Sequence, residues 1–139
     1  MTRPRRVTPG TMYFLTSRTV ARMFRLVPTS RVLRHVRYVL AAMLEKYRMR
    51  THELVCMSNH HHILVTDVYG QLPDFMRDLN SLLARDLNTL FGTRGTVFEK
   101  DYAAVEVTTL EAAIRHSVYI LANPCSAHLV RRARQWPGF

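Results

Sequence analysis

Two runs of strand-forming residues, 51–57 and 61–67, are separated by little more than the turn-forming pair Ser58-Asn59. So short a connection admits only an antiparallel hairpin, because parallel strands need a crossover of about a dozen residues or more. The chain must therefore build an antiparallel sheet around this hairpin. Residues 11–17, Thr-Met-Tyr-Phe-Leu-Thr-Ser, are aromatic and β-preferring and read as another strand. Val97-Phe98 and residues 103–107 are short strand candidates. Residues 23–26 form an extended piece that either pairs with the first strand or leads into the next helix.

Three helices fill the intervals. Thr29 or Ser30 caps the first, whose apolar residues from Val32 to Tyr47 recur at three- and four-residue spacing. Residues 72–91 carry a full stripe from Leu72 to Leu90. Thr108 or Thr109 caps the third. It is expected to bury Leu110, Ile114, Val118 and Leu121 and to stop at Asn123-Pro124. The order β, α, β-β, α, β, α points to an α+β domain, with the split β-α-β of ferredoxin-like folds as the nearest template. At 139 residues the chain suits one domain. We expect a basic flexible arm over 1–10, a single domain over 11–130, and a basic tail over 131–139.

Charge narrows the partners. Lys+Arg is 20 against 10 for Asp+Glu, a formal net charge of +10. Only Lys46 and Lys100 are lysines, and the arginine fork matches phosphate oxygens two at a time. Such a balance suggests a polyanionic partner, most often nucleic acid. No apolar run reaches the roughly 18 residues needed to span a bilayer, so no membrane partner is expected. Cys56 and Cys125 are too few for a disulfide scaffold and are expected to be free thiols in a reducing cytosol.

The segment Ser58-Asn-His-His-His-Ile-Leu-Val65 is the sharpest chemical feature. Strand alternation puts His60 and His62 on one face and His61 on the other with Ile63 and Val65. Two imidazoles side by side are a ready pair of metal ligands, and a third donor must come from elsewhere. Histidine with oxygen donors suits an exchangeable Mg²⁺ or Mn²⁺. The bland reading is a polar run at a strand edge. A second alternative is a structural zinc site, for which Cys56 would have to reach around the turn. On the third helix Arg115, Tyr119 and Asn123 follow at four-residue intervals, lining up a cation, a phenol and an amide.

These segments resemble those of single-tyrosine HUH transposases, and locally their REP-associated branch. Met57-Ser-Asn-His-His-His-Ile-Leu-Val65 is similar to the branch's M-P-N-H-x-H-hydrophobic segment. Tyr119-Ile-Leu-Ala-Asn-Pro-Cys-Ser-Ala-His-Leu-Val130 is similar to its Y-I-x-x-N-P-V-x-A-G-L-V. Gly95-Thr-Val-Phe-Glu-Lys-Asp-Tyr102 resembles G-x-x-F-Q-x-R-Y/F, and Trp136-Pro137 resembles the Trp-Pro that closes the family domain. Four positions depart from the pattern: His61 replaces a bulky hydrophobic residue, Ser58 a proline, Cys125 a valine and His128 a glycine. A polar group at position 61 needs a hydrogen-bond partner or partial exposure.

The resemblance implies a ferredoxin- or RRM-like antiparallel sheet with helices packed on it. The HUH motif would lie on a central strand and the nucleophile on a C-terminal helix. It implies cutting and rejoining of single-stranded, hairpin-associated DNA through a 5′-phosphotyrosine at Tyr119. His60, His62 and Asn123 would hold Mg²⁺ or Mn²⁺. Arg3, Arg5, Arg6, Arg115, Arg131, Arg132 and Arg134 are candidate DNA contacts. The alternative is a catalytically silent, domesticated protein that holds hairpin nucleic acid. Relatives include both monomers and homodimers. A bacterial cytoplasmic, nucleoid-associated location would follow.

Overall fold

The computed structural model describes residues 6–139, so Arg3 and Arg5 of the basic arm lie outside the described residues. Four strands and three helices follow in chain order. They are β1 (Thr11–Arg18), α1 (Ser30–Tyr47), β2 (Arg50–Cys56), β3 (His60–Asp67), α2 (Leu72–Phe91), β4 (Ala103–Val107) and α3 (Leu110–Ser126). The strands form one sheet ordered β2-β3-β1-β4, with every neighbour antiparallel. This is the expected ferredoxin-like α+β arrangement, and it makes β3 an inner strand. Val97-Phe98 forms no strand; Phe98 makes only an isolated bridge to Thr19. Residues 23–26 likewise form no strand and lead into α1.

The sheet separates two cores. Tyr13, Leu15, Ile63 and Val65 point to one face and bury against α1 and α2 in the larger core. Phe14 and Leu64 point to the other face, joining Val55, Met57, Val107 and Ile120 of α3 in a smaller core. The period-two alternation of β1 and β3 is the cause. Local chemistry sets the helix starts: the Thr29 and Thr109 hydroxyls accept from the Val32 and Ala112 amides. At α2 the buried Asp67 carboxylate accepts from the Gln71 and Leu72 amides, tying the end of β3 to that helix.

α3 departs from expectation twice. It continues through Pro124 to Ser126 rather than stopping at Asn123-Pro124. Proline removes one amide donor, and in the last turn that loss leaves most of the helix ladder intact. Its expected core stripe is also solvent-facing: Leu110, Ile114, Val118 and Leu121 are 78%, 55%, 59% and 48% exposed. The face against the sheet carries Ala112, Ala113, His116 and Ile120 instead. Small side chains let the helix approach the sheet closely, whereas the branched residues occupy the opposite side.

The segment after α3 returns to the sheet. Trp136 Nε1 donates to the Cys56 carbonyl at 3.0 Å, and the Cys56 amide donates to the Gly138 carbonyl at 2.7 Å. A Cβ at position 138 would stand 2.2 Å from that Cys56 oxygen, so only glycine fits the approach. Trp136 and Phe139 pack on the smaller core and cover part of the exposed edge of β2.

Candidate active site

His60 and His62 lie two residues apart on β3 and share the face that α3 covers. Their ring centroids are 4.9 Å apart. His61 points to the opposite face, as the alternation requires, and is 2% exposed. The expected partner or exposure for His61 is absent: neither ring nitrogen has a hydrogen-bond partner among the described residues. The ring instead meets Phe98 edge-on at 5.9 Å, and burial pushes its pKa down to about 4. A neutral imidazole in an apolar core is the consequence.

A hydrogen bond fixes the tautomer of His60, and a second one orients the His62 ring. His60 Nδ1 donates to the Asn59 side-chain oxygen at 2.7 Å, leaving Nε2 with its lone pair free. His62 Nδ1 lies 2.8 Å from the Thr16 hydroxyl, its cross-strand neighbour. The Asn123 amide stands 3.5 Å from His62 Nε2, with Nδ2 toward that nitrogen. Both rings line the cavity with Nδ1 held by an orienting partner. Burial, followed by the charges of Arg18 and Arg22, lowers the His60 pKa. Burial, then the charges of His60, His61 and Arg18, pushes His62 down to about 3. Both are neutral at pH 7, the form that binds a metal.

α3 supplies the other wall. Tyr119 lies edge-on to His62 with centroids 5.3 Å apart, and Asn123 follows one turn later. Because α3 continues through Pro124, Asn123 stays on the helix and in phase with Tyr119. Phe14 is stacked between His62 and His116, at 5.1 and 4.4 Å, and meets Tyr119 edge-on at 5.7 Å. This column sets the distance between helix and sheet. His116 is not prominent in the sequence; its only signal is its phase with Ala112, Ala113 and Ile120.

Arg18, His60, His62, Tyr119, Ala122, Asn123, Ser126 and Ala127 line one open cavity of about 350 Å³. Arg18 is a cation that sequence reasoning missed; it sits directly across from His60 in the β1–β3 register. Arg115 does not line the cavity and pairs with Glu111 at 3.1 Å. Arg6, Arg131, Arg132 and Arg134 are exposed. Cys56 lies opposite His61 in the register and its thiol donates to the Leu26 carbonyl, on the far side of the sheet from His60 and His62. A zinc site joining Cys56 to these histidines does not form.

Among the described residues no three His, Cys, Asp or Glu side chains converge. A half-turn of the Asn123 amide exchanges Nδ2 for Oδ1 and offers an oxygen donor beside the two imidazoles. Two neutral nitrogens and one amide oxygen around open space fit a divalent ion that keeps free positions.

Comparison with known proteins identifies the family and the fold. The sequence profile of a family described as "Transposase IS200 like" matches residues 13–123. No curated protein sequence matches the chain. Among solved structures, a REP-associated tyrosine transposase bound to a REP hairpin superposes with a TM-score of 0.82 at 16% identity, covering 99% of this chain and 81% of the other. A protein of Deinococcus radiodurans R1 assigned as a transposase gives a TM-score of 0.61 at 20% identity, covering 86% of this chain and 95% of the other. These structural likenesses speak to the fold, and the profile match spans most of the chain. The protein belongs to the IS200-like transposase family.

Proposed function

We propose that the chain is a metal-dependent strand transferase that nicks and rejoins single-stranded, hairpin-associated DNA through Tyr119. One observation carries the reading: two oriented imidazoles, a phenol and an amide line a single open cavity beside Arg18. One of its structural neighbours is bound to a REP hairpin, which supports a DNA hairpin as partner.

His60, His62 and Asn123 would hold a Mg²⁺ or Mn²⁺ ion, which when bound would supply Lewis-acid polarisation of the scissile phosphate. Arg18 attracts the phosphate to the cavity and neutralises part of its charge. The Tyr119 oxygen attacks phosphorus, and its proton passes to water in the open cavity. The bond from phosphorus to the 3′ oxygen breaks, and that oxygen leaves as a 3′-OH after taking a proton. The 5′ phosphate stays on Tyr119 as a phosphodiester. A 3′-OH from another strand reverses the step, so one phosphoester replaces another and no energy source is consumed. The two-face placement of the histidines keeps His61 out of this chemistry.

If the chain pairs with a second copy, as some relatives do, the exposed stripe of α3 is its apolar surface on offer. This function places the protein with its substrate, at the bacterial nucleoid in the cytoplasm.

The test mixes the protein with labelled hairpin DNA carrying single-stranded flanks and Mn²⁺ or Mg²⁺. A denaturing gel should show label retained on wild-type protein, and none on Tyr119→Phe or His60→Ala. Tight hairpin binding without any adduct would favour the binding-only alternative.

A further inference from the structure

The segment between β1 and α1 is an ordered, strained loop on the hairpin turn that carries His60. Ala21 and Arg22, neither of them glycine, both adopt left-handed backbone with φ of 52° and 56°. Two successive residues of this kind persist only where surrounding contacts hold them. Those contacts are present. The Asn59 carbonyl accepts from the Thr19 amide at 2.9 Å, and the Asn59 side-chain amide donates to the Arg22 carbonyl. The Thr19 hydroxyl also donates to the Met23 carbonyl at 2.7 Å, and the Leu26 amide donates to the Ser58 carbonyl at 2.9 Å. Thr19 and Leu26, the two feet of the loop, are fully buried.

What this scaffold holds up is Phe24, which is 71% exposed, with Met23 and Val27 half-open beside it. Arg22 and Arg25 flank the ring in sequence. Arg22 is 4.0 Å from Glu99, and Arg25 donates to the Thr93 hydroxyl. A phenylalanine raised into water on a pinned loop gains nothing for the fold. Placed between arginines it has the parts of a single-strand platform: an aromatic face for a base and cations for the neighbouring phosphates. Asn59 is the physical link to the cavity, because the same side chain that holds the Arg22 carbonyl also orients His60.

The geometry points to the 20–25 loop as a binding platform for single-stranded DNA, with Phe24 stacking a base and Arg22 and Arg25 taking the flanking phosphates. The inference rests on the reading of the neighbouring cavity as a DNA site and adds where the strand lies as it approaches. The occupant is nucleic acid rather than an apolar protein surface because Arg22 and Arg25 flank the exposed ring in sequence on a chain of net charge +10.

Stacking of this kind tolerates any base, so an oligodeoxythymidylate carrying one 2-aminopurine serves as probe. Wild-type protein should bind it and quench the 2-aminopurine. Phe24→Ala should weaken binding by roughly tenfold or more and abolish the quenching. Phe24→Tyr should restore both, whereas Phe24→Leu, which keeps apolar bulk without a π face, should not. Arg22→Gln and Arg25→Gln should each reduce the slope of log affinity against log salt by about 0.7. Unchanged affinity in Phe24→Ala, or full activity of Phe24→Leu, would overturn the platform and leave Phe24 as a contact for another protein. Adduct formation on Tyr119 separates the two ideas. Normal adducts with unaltered binding in Phe24→Ala sink the platform alone. Phe24-dependent binding with no adduct from wild-type protein sinks strand transfer alone.

Discussion

Burying an imidazole without a hydrogen-bond partner costs on the order of 1–3 kcal/mol, and His61 does so in the middle of the sheet. The consequence is a pH dependence whose sign follows from its depressed pKa. The unfolded chain takes up a proton near pH 6.5, whereas the folded protein resists until about pH 4. Protons therefore favour the unfolded state as pH falls through this window. Stability is full above about pH 6.5 and declines by about 1.4 kcal/mol per unit down to about pH 4, roughly 3 kcal/mol in all from this residue. His61→Leu should raise stability at pH 7 by about 1–3 kcal/mol and remove this share of the acid loss. Urea titrations at pH 7 and pH 5 read both effects. A variant that loses as much as wild type between those two values would show that His61 is not the group responsible. Because His61 faces away from the cavity, the same substitution should leave the His60 and His62 side of the sheet unchanged.

α3 joins the site to the fold, and its two sides make opposite demands. Ile120 is fully buried against Phe14 and Leu64 in the smaller core, whereas Leu110, Ile114 and Val118 face water. Ile120→Ala should cost about 2–4 kcal/mol through reduced burial and the cavity it leaves. Ile114→Ala and Val118→Ala should each stay within about 0.5 kcal/mol. Equal losses at all three in thermal or urea unfolding would mean that the outer stripe is covered in solution, as pairing with a second copy would require. The strands, the hairpin, the caps at Thr29 and Thr109, and the split between His61 and its neighbours were legible in the sequence, because alternation and capping are local properties. The facing of α3 was not. Its branched residues fall at core spacing, but close approach to the sheet selects the alanine side, and only tertiary packing decides between the two. Tyr119 and Asn123 were legible because four-residue spacing survives that rotation. Arg18 and Asn59 were not, since their place beside His60 depends on the β1–β3 register and the loop at 20–25. The docking of Trp136 and Gly138 on β2 is equally non-local.

At the scale of the whole molecule, charge and site have to act together. The net charge of +10 raises the local concentration of any nucleic acid, but among the described arginines only Arg18 lines the cavity. Affinity from the rest must come through phosphate contacts on the surface, which carry no sequence information. Arg131, Arg132 and Arg134 are exposed on the segment that runs from the end of α3 back to β2. That segment is anchored beyond them by Trp136 and Gly138, so its cations are held near the domain. Changing all three to glutamine should weaken hairpin binding and lower the salt slope by about 0.9 for each phosphate they neutralise in the wild-type complex. The yield of Tyr119 adduct at saturating DNA should not change, because none of the three lines the cavity. Fluorescence anisotropy across a salt series measures the slope, and a denaturing gel measures the adduct. An unchanged slope would mean that these arginines face solvent in the complex. A drop in adduct at saturation would mean instead that this segment helps position the scissile phosphate.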